Sequence, residues 1–302
     1  MKPVVSYTRP LTQEQASLLR EILARDGFAF SEREHTAFFA SKDKVNVAVY
    51  PKGPKVLVQG RGTEEFVKFT LEPQVLGAAE LGYEEVLKPD MFKPHFGIDE
   101  SGKGDFFGPL VVAGVYVDAE IARALLDAGV MDSKRIASDQ RVRQLAGIIR
   151  GTPGLHCYVL GLGPEKYNEL YAKFRSLNFL LAWAHAEVIA VLRRYVPECS
   201  RALSDQFAHQ TVLERAVAKR GIEIEIEQRT RGEADVAVAA ASILARERFI
   251  DWMDECSRRL GYVLPRGASS LVKQAATRLL DDRGQDALPK AAKMHFKTAG
   301  EL

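Results

Sequence analysis

The chain has 302 residues, 46% of them apolar and 27% charged, with a formal net charge of +2. So balanced a charge excludes nucleic-acid binding through the overall field and leaves only local patches for it; the length exceeds what one core usually serves, so two domains are expected. Cys157, Cys199 and Cys256 stand far apart with no CxxC pair, which speaks against a structural zinc site or disulfide framework and fits a reducing cytosol.

The start, Met1-Lys2-Pro3-Val4-Val5, has no apolar signal core. The longest apolar runs, such as Phe179 to Ala184 and Val236 to Ala241, fall short of the roughly 20 residues a membrane helix needs. A cytoplasmic protein without a membrane partner is expected. Val4 to Tyr7 reads as a first strand. Thr12 followed by Gln15, with Ala16, Leu19, Ile22 and Leu23 behind, reads as a capped helix that ends at Gly27. Alternating runs at Thr36–Ala40, Val45–Tyr50 and Val56–Gln59, separated by Gly/Pro turns, read as antiparallel hairpins. Thr63 is placed as the cap of a second helix that stops before Pro73.

Residues 1–80 thus form a small α+β module. Lys42, Lys44, Lys52, Lys55 and Arg61 cluster within it, as a lysine-protected sheet edge or as a phosphate-contacting face. Residues 81–95, closing through Pro89 and Pro94, read as the linker, and 96–302 as the second domain. There, Phe96 to Glu100 and Val111 to Val117 read as strands joined by a tight turn. Helices are expected at Ala119–Leu126, Asp139–Arg150, over most of Glu165–Val196, at Thr211–Lys219, and from Asp235 to Leu260. Strands are expected at His156–Leu160, Arg201–Asp205 and Glu223–Glu227, and a last helix at Leu271–Leu280. Strands alternating with helices indicate a mixed α/β sheet with helical cover.

The chemistry gathers on Gly97-Ile98-Asp99-Glu100-Ser101-Gly102-Lys103-Gly104. Two adjacent acids at a strand end, beside backbone that only glycine can shape, suggest a metal meeting a phosphate. Asp205 and Asp235, with Glu233 nearby, also sit at element ends, and strand ends on one sheet edge converge on a crevice. Alone, each such acid reads first as a turn or cap residue, and it is the adjacent Asp99-Glu100 pair before a glycine-flanked lysine that favours function. The stretch nearly spells a P-loop. It carries Gly104 where Ser or Thr should be, and it runs into a strand where a P-loop opens a helix. Asp132-Ser133-Lys134 offers a hydroxyl and an ammonium for a phosphate, or is an ordinary turn. His185, in an apolar helix, reads as a core residue, and the alanine run Val236–Ser242 as a close-packing helix face.

Taken together, Gly97–Leu110, Asp132-Ser133-Lys134, Asn178–His185, Ser204–Phe207, Val236–Arg246 and Lys293-Met294-His295-Phe296 resemble the ribonuclease HIII family of type 2 ribonucleases H. Gly102-Lys103-Gly104 stands where the related ribonuclease HII proteins typically carry Gly-Arg-Gly. The resemblance implies a ribonuclease H-like α/β catalytic domain preceded by a TATA-binding-protein-like α+β domain that helps hold substrate. It implies endonucleolytic cleavage of RNA paired with DNA, by two-metal hydrolysis with Mg2+ or Mn2+. Carried over, the metal-holding catalytic acids fall on Asp99, Glu100, Asp205 and Asp235, with Glu233 the alternative for the fourth. Ser101, Gly102, Lys103, Gly104, Ser133 and Lys134 fall at the substrate. A monomer is expected. The competing readings are a non-catalytic nucleic-acid binder and a P-loop-like NTPase.

Overall fold

In the computed structural model, which describes residues 4–78, 88–130, 133 and 136–302, the chain divides into two units, Met1–Pro89 and Asp90–Leu302. The division falls within the stretch expected as linker, of which residues 81–87 lie outside the described residues. Asp90 already belongs to the second unit, where its carbonyl accepts from Arg201 Nη1 at 3.1 Å.

In the first unit, Thr12 Oγ1 accepts from the Gln15 N–H at 3.1 Å while Gln15 Oε1 accepts from the Thr12 N–H at 2.9 Å. This reciprocal cap starts the helix Gln13–Arg25. The sheet is antiparallel, in the order β1 (Ser6–Pro10), β5 (Lys55–Gln59), β4 (Val45–Tyr50), β3 (Phe38–Lys42), β2 (Ala29–Ser31). Alternation puts Ala40, Val47, Val49, Val56 and Val58 on one face, packed with Leu19, Ile22 and Leu23 of the helix. The register lines up Ser6, Gln59, Asn46 and Ser41 across the other face.

Three expectations change here. β1 begins at Ser6, two residues later than expected, and β2 was not anticipated, because three exposed residues carry no alternation to detect. The second helix does not stop before Pro73. Thr63–Phe66 runs into a wider-wound π segment, Val67–Leu76, that carries Pro73 and ends on Gly77 in the left-handed region (φ 62°). The cap position is Gly62, and Thr63 Oγ1 donates back to the Gly60 carbonyl at 2.8 Å. The basic residues do not share a face. Lys42 is on the helix side, its Nζ donating to the Asp26 carbonyl at 2.6 Å, and Lys55 is on the opposite side.

The second unit is built on a mixed sheet, in the order β10 (Glu225–Arg229), β9 (Arg201–Asp205), β6 (His95–Ser101), β7 (Leu110–Val117), β8 (Cys157–Leu162). β6 is central, antiparallel to β7 and parallel to β9. The helix Val236–Leu260 packs on one face, against Val111, Ala113 and Val115; the helix Leu177–Tyr195 packs on the other, with Val112, Phe96 and Ile98. The helical stretch expected over Glu165–Val196 is two helices, Pro164–Phe174 and Leu177–Tyr195, broken where Arg175 turns left-handed (φ 52°).

The alanine run does what its small side chains allow. A Cβ on Gly97 would stand 2.2 Å from the Ala237 carbonyl carbon and 2.3 Å from the Val238 nitrogen, so backbone lies directly on backbone. That contact seats the N-terminus of the long helix beside the strand that carries Asp99 and Glu100. Gly97→Ala is expected to destabilise the protein by about 2–3 kcal/mol or more, since neither backbone can yield as a side chain would. Thermal and urea melts check it; an unchanged melting temperature refutes the contact.

Candidate active site

Because strand side chains alternate, Asp99 and Glu100 point to opposite faces of β6, and each meets one polar residue of the helix covering that face. On one side, the Asp99 carboxylate hydrogen-bonds Ser242 of Val236–Leu260. On the other, Glu100 Oε2 lies 3.1 Å from His185 Nε2 of Leu177–Tyr195. Lys103 Nζ donates to the other Glu100 oxygen at 3.1 Å. Asp205 ends β9. The parallel register pairs Ile98 with Ser204, so one residue on, Asp99 and Asp205 head neighbouring strands side by side. Asp205 Oδ1 accepts from the Gly232 N–H at 2.9 Å. A Cβ on Gly232 would meet Asp205 Cα at 2.9 Å, so the turn Gly232–Ala234 lies against that strand end.

Asp235 is the N-cap of the long helix. Its Oδ1 accepts from Ala237 N–H at 2.8 Å and Val238 N–H at 3.3 Å, and faces His95 Nε2 at 3.0 Å. The other His95 nitrogen, Nδ1, lies 2.7 Å from the Lys93 carbonyl. The buried ring thus bridges the Lys93 carbonyl and the Asp235 carboxylate. Three donors on Oδ1 leave Oδ2 as the oxygen available for another partner. Glu233 lies two residues ahead, in the turn.

The electrostatics follow from crowding like charges in a strand end. Burial, then the charge of Glu100 and more weakly that of Asp205, push the Asp99 carboxyl up to about 8, against the Ser242 and Glu100 N–H hydrogen bonds. Burial also pushes Glu100 up, but His185 and Lys103 together outweigh it and hold that carboxyl below its ordinary value. Among the described residues, no three His, Cys, Asp or Glu side chains form a ready-made ion cage. Lys103 is the cation Glu100 holds in this structure. The donor set nevertheless fits a hard divalent cation. It is carboxylate oxygen only, and a cation relieves the repulsion that raises Asp99.

Gly102 takes the left-handed conformation (φ 85°), and a Cβ there would fall 2.2 Å from the Pro109 carbonyl oxygen and 2.8 Å from the Phe249 ring. Gly104 is exposed and Lys103 and Ser101 half-buried. The turn continues into β7 and not into a helix, which removes the P-loop reading. The Ser133 hydroxyl is buried 2.6 Å from Ser242 Oγ, and its carbonyl accepts from Arg246, so Ser242 stands between it and Asp99. Lys134 lies outside the described residues. His185 is buried as expected, yet its hydrogen bond makes it a support of Glu100. Sequence reasoning passed over Ser242 and His95. The one signal for Ser242 was a lone hydroxyl in an alanine run; His95 gave none.

A family model described as Ribonuclease HII matches residues 96–299. The chain is 42% identical over 298 residues to the ribonuclease HIII of Chlamydia caviae, covering 98% of this chain and 97% of that one. It is 44% identical over 299 residues to that of Chlamydia trachomatis serovar L2, with the same coverages of 98% and 97%. The crystal structure of Bst-RNase HIII in complex with Mn2+ superposes with a TM-score of 0.67 at 27% identity, covering 98% of this chain and 97% of that one. These matches run along the whole length and agree with a ribonuclease H-like mixed sheet preceded in the chain by a five-stranded sheet of TATA-binding-protein type, and the chain belongs to the ribonuclease HII family, in its ribonuclease HIII branch.

Proposed function

We infer that the chain is an endonuclease that hydrolyses the RNA strand of RNA–DNA hybrids with Mg2+ or Mn2+, leaving 5′-phosphate and 3′-hydroxyl ends. The observation that carries this reading is the side-by-side pair of Asp99, buried, and Asp205, half-buried, on neighbouring parallel strands, with Glu100 next in sequence, in a chain of this family. Asp99, Glu100, Asp205 and the free oxygen of Asp235 are the residues that would hold the metals. Bound there, the two cations supply an activated water and neutralise charge at the leaving 3′ oxygen.

The chain's own residues do the rest. Ser242 and the Glu100 N–H orient Asp99. His185 and Lys103 orient Glu100, and Lys103, partly exposed, is free to trade Glu100 for a substrate phosphate. The main chain of Ser101, Gly102 and Gly104 would meet the ribose, whose 2′-hydroxyl distinguishes RNA from DNA. Lys134 would contact a phosphate, and Ser133 would steady that loop through Ser242. The open polar face of the first unit, with Asn46, Gln59 and Lys55, would grip the hybrid backbone without reading sequence. Removal of RNA from DNA, as primers or hybrids, is the process this serves. Among the described residues no single helix is long and apolar enough to cross a membrane. All three cysteines are free thiols, which supports a cytoplasmic enzyme, and each unit has its own core, which supports action as a monomer.

Asp99→Asn is expected to cut metal-dependent cleavage of a hybrid by about a thousandfold, or about 4 kcal/mol of barrier, with hybrid binding retained. Full activity in that variant sinks the assignment. Asp235→Asn is expected to lose activity comparably and Glu233→Gln to keep most of it; the reverse ranking moves the fourth ligand to Glu233. Removing residues 1–89 is expected to weaken hybrid binding about tenfold and to flatten its dependence on salt, as phosphate contacts are lost. Binding isotherms at two salt concentrations measure both.

A further inference from the structure

The corner that follows Gly102-Lys103-Gly104 is held by the far end of the chain. Lys293 is fully buried, and its ammonium faces three main-chain carbonyls of that corner: Asp105 and Gly108, each at 2.7 Å, and Phe107 at 3.4 Å. Main-chain bonds run alongside. Lys293 N–H donates to the Phe106 carbonyl at 2.8 Å, and Gly108 N–H to the Ala291 carbonyl at 2.9 Å. The ammonium also lies 5.7 Å from the centre of the Tyr167 ring. Asn168, the next residue of that helix, accepts from Met294 N–H at 2.9 Å and donates to the Ala292 carbonyl at 3.0 Å.

Lysine is almost never fully buried without a specific partner set. Here three donors meet three carbonyls of a turn that has no regular ladder of its own. An apolar side chain would fill the volume and leave those carbonyls unanswered. The corner bears directly on the turn before it, because the Pro109 carbonyl is the atom that a Cβ on Gly102 would strike.

We propose that Lys293 is a positioning residue for hybrid cleavage. It fixes the Asp105–Gly108 corner and, through Pro109, sets where the Gly102–Gly104 main chain meets the ribose beside the scissile phosphate. The inference rests on the ribose-contacting role given above to that loop.

The test compares Lys293→Met, which keeps the bulk and removes the donors, with Lys293→Arg, whose planar fork keeps the charge but cannot converge on three carbonyls as an ammonium does. Val142→Ala, a truncation in the core under the helix Asp139–Gly151, is the stability control. Steady-state cleavage of a hybrid with Mg2+ is measured for all three, at a temperature where melts show each to be folded. Both Lys293 variants are expected to lose kcat by about 100-fold, the order that a 1 Å misplacement costs. Their KM should stay within about threefold, as expected when only transition-state contacts are lost. Val142→Ala is expected to keep kcat. Equal kcat in Lys293→Met and Val142→Ala, or a wild-type kcat in Lys293→Arg, overturns the proposal. Where Lys293→Met does not fold, Lys293→Arg decides by the same kcat criterion. Asp99→Asn, run alongside, separates failure of the site reading from failure of this one.

Discussion

The catalytic unit is built around an unfavourable act: burying Asp99 next to Glu100 and in line with Asp205. Like charges at such range in low dielectric repel strongly, and burial removes the water that would screen them. The surrounding contacts answer this constraint one oxygen at a time. Ser242 and a backbone N–H meet Asp99, His185 and Lys103 meet Glu100, and the Gly232 N–H meets Asp205. None of these donors neutralises all three acids. A residual demand for positive charge is left at the strand end, which suits the proposed binding of divalent cations there.

Two packing choices make the arrangement possible. The side chain missing at Gly97 lets the long helix touch the strand backbone, which brings Ser242 within reach of Asp99 and seats Asp235 beside His95. On the opposite face, Gly114 leaves room for Val188 and Leu192, since a Cβ there would stand 2.5 Å and 2.7 Å from their methyl groups. The helix bearing His185 packs its side chains directly over that glycine. Both faces of β6 are covered closely enough for one polar residue from each helix to reach a carboxylate.

Much of this was legible in the sequence. The acids at element ends, the glycine turn between two strands and the small-residue helix each have a local cause, and each appears where its pattern placed it. What escaped has a physical reason as well. His185 and Ser242 sit in apolar helices, where a single polar residue looks like a tolerated core position until the facing strand is known. Ser133 looked like a surface hydroxyl because its loop is polar, and only the fold turns it toward Ser242. β2 is three exposed residues long, and Pro73 ends a helix only while the winding is normal. The buried Lys293 gave no sign of its burial, because a lysine near a chain end reads as solvated.

The cap on the long helix shows how one side chain divides its duties. All the hydrogen bonds that start the helix and tether it to His95 fall on Oδ1 of Asp235, while the proposed metal contact belongs to Oδ2. On that proposal, folding and chemistry fall to different atoms of the same carboxylate. Asparagine, which caps helices as well as aspartate does, can preserve the first duty while abolishing the second. The helix cap alone would tolerate a neutral residue there, so under the proposed function the negative charge at position 235 serves the metals and not the helix.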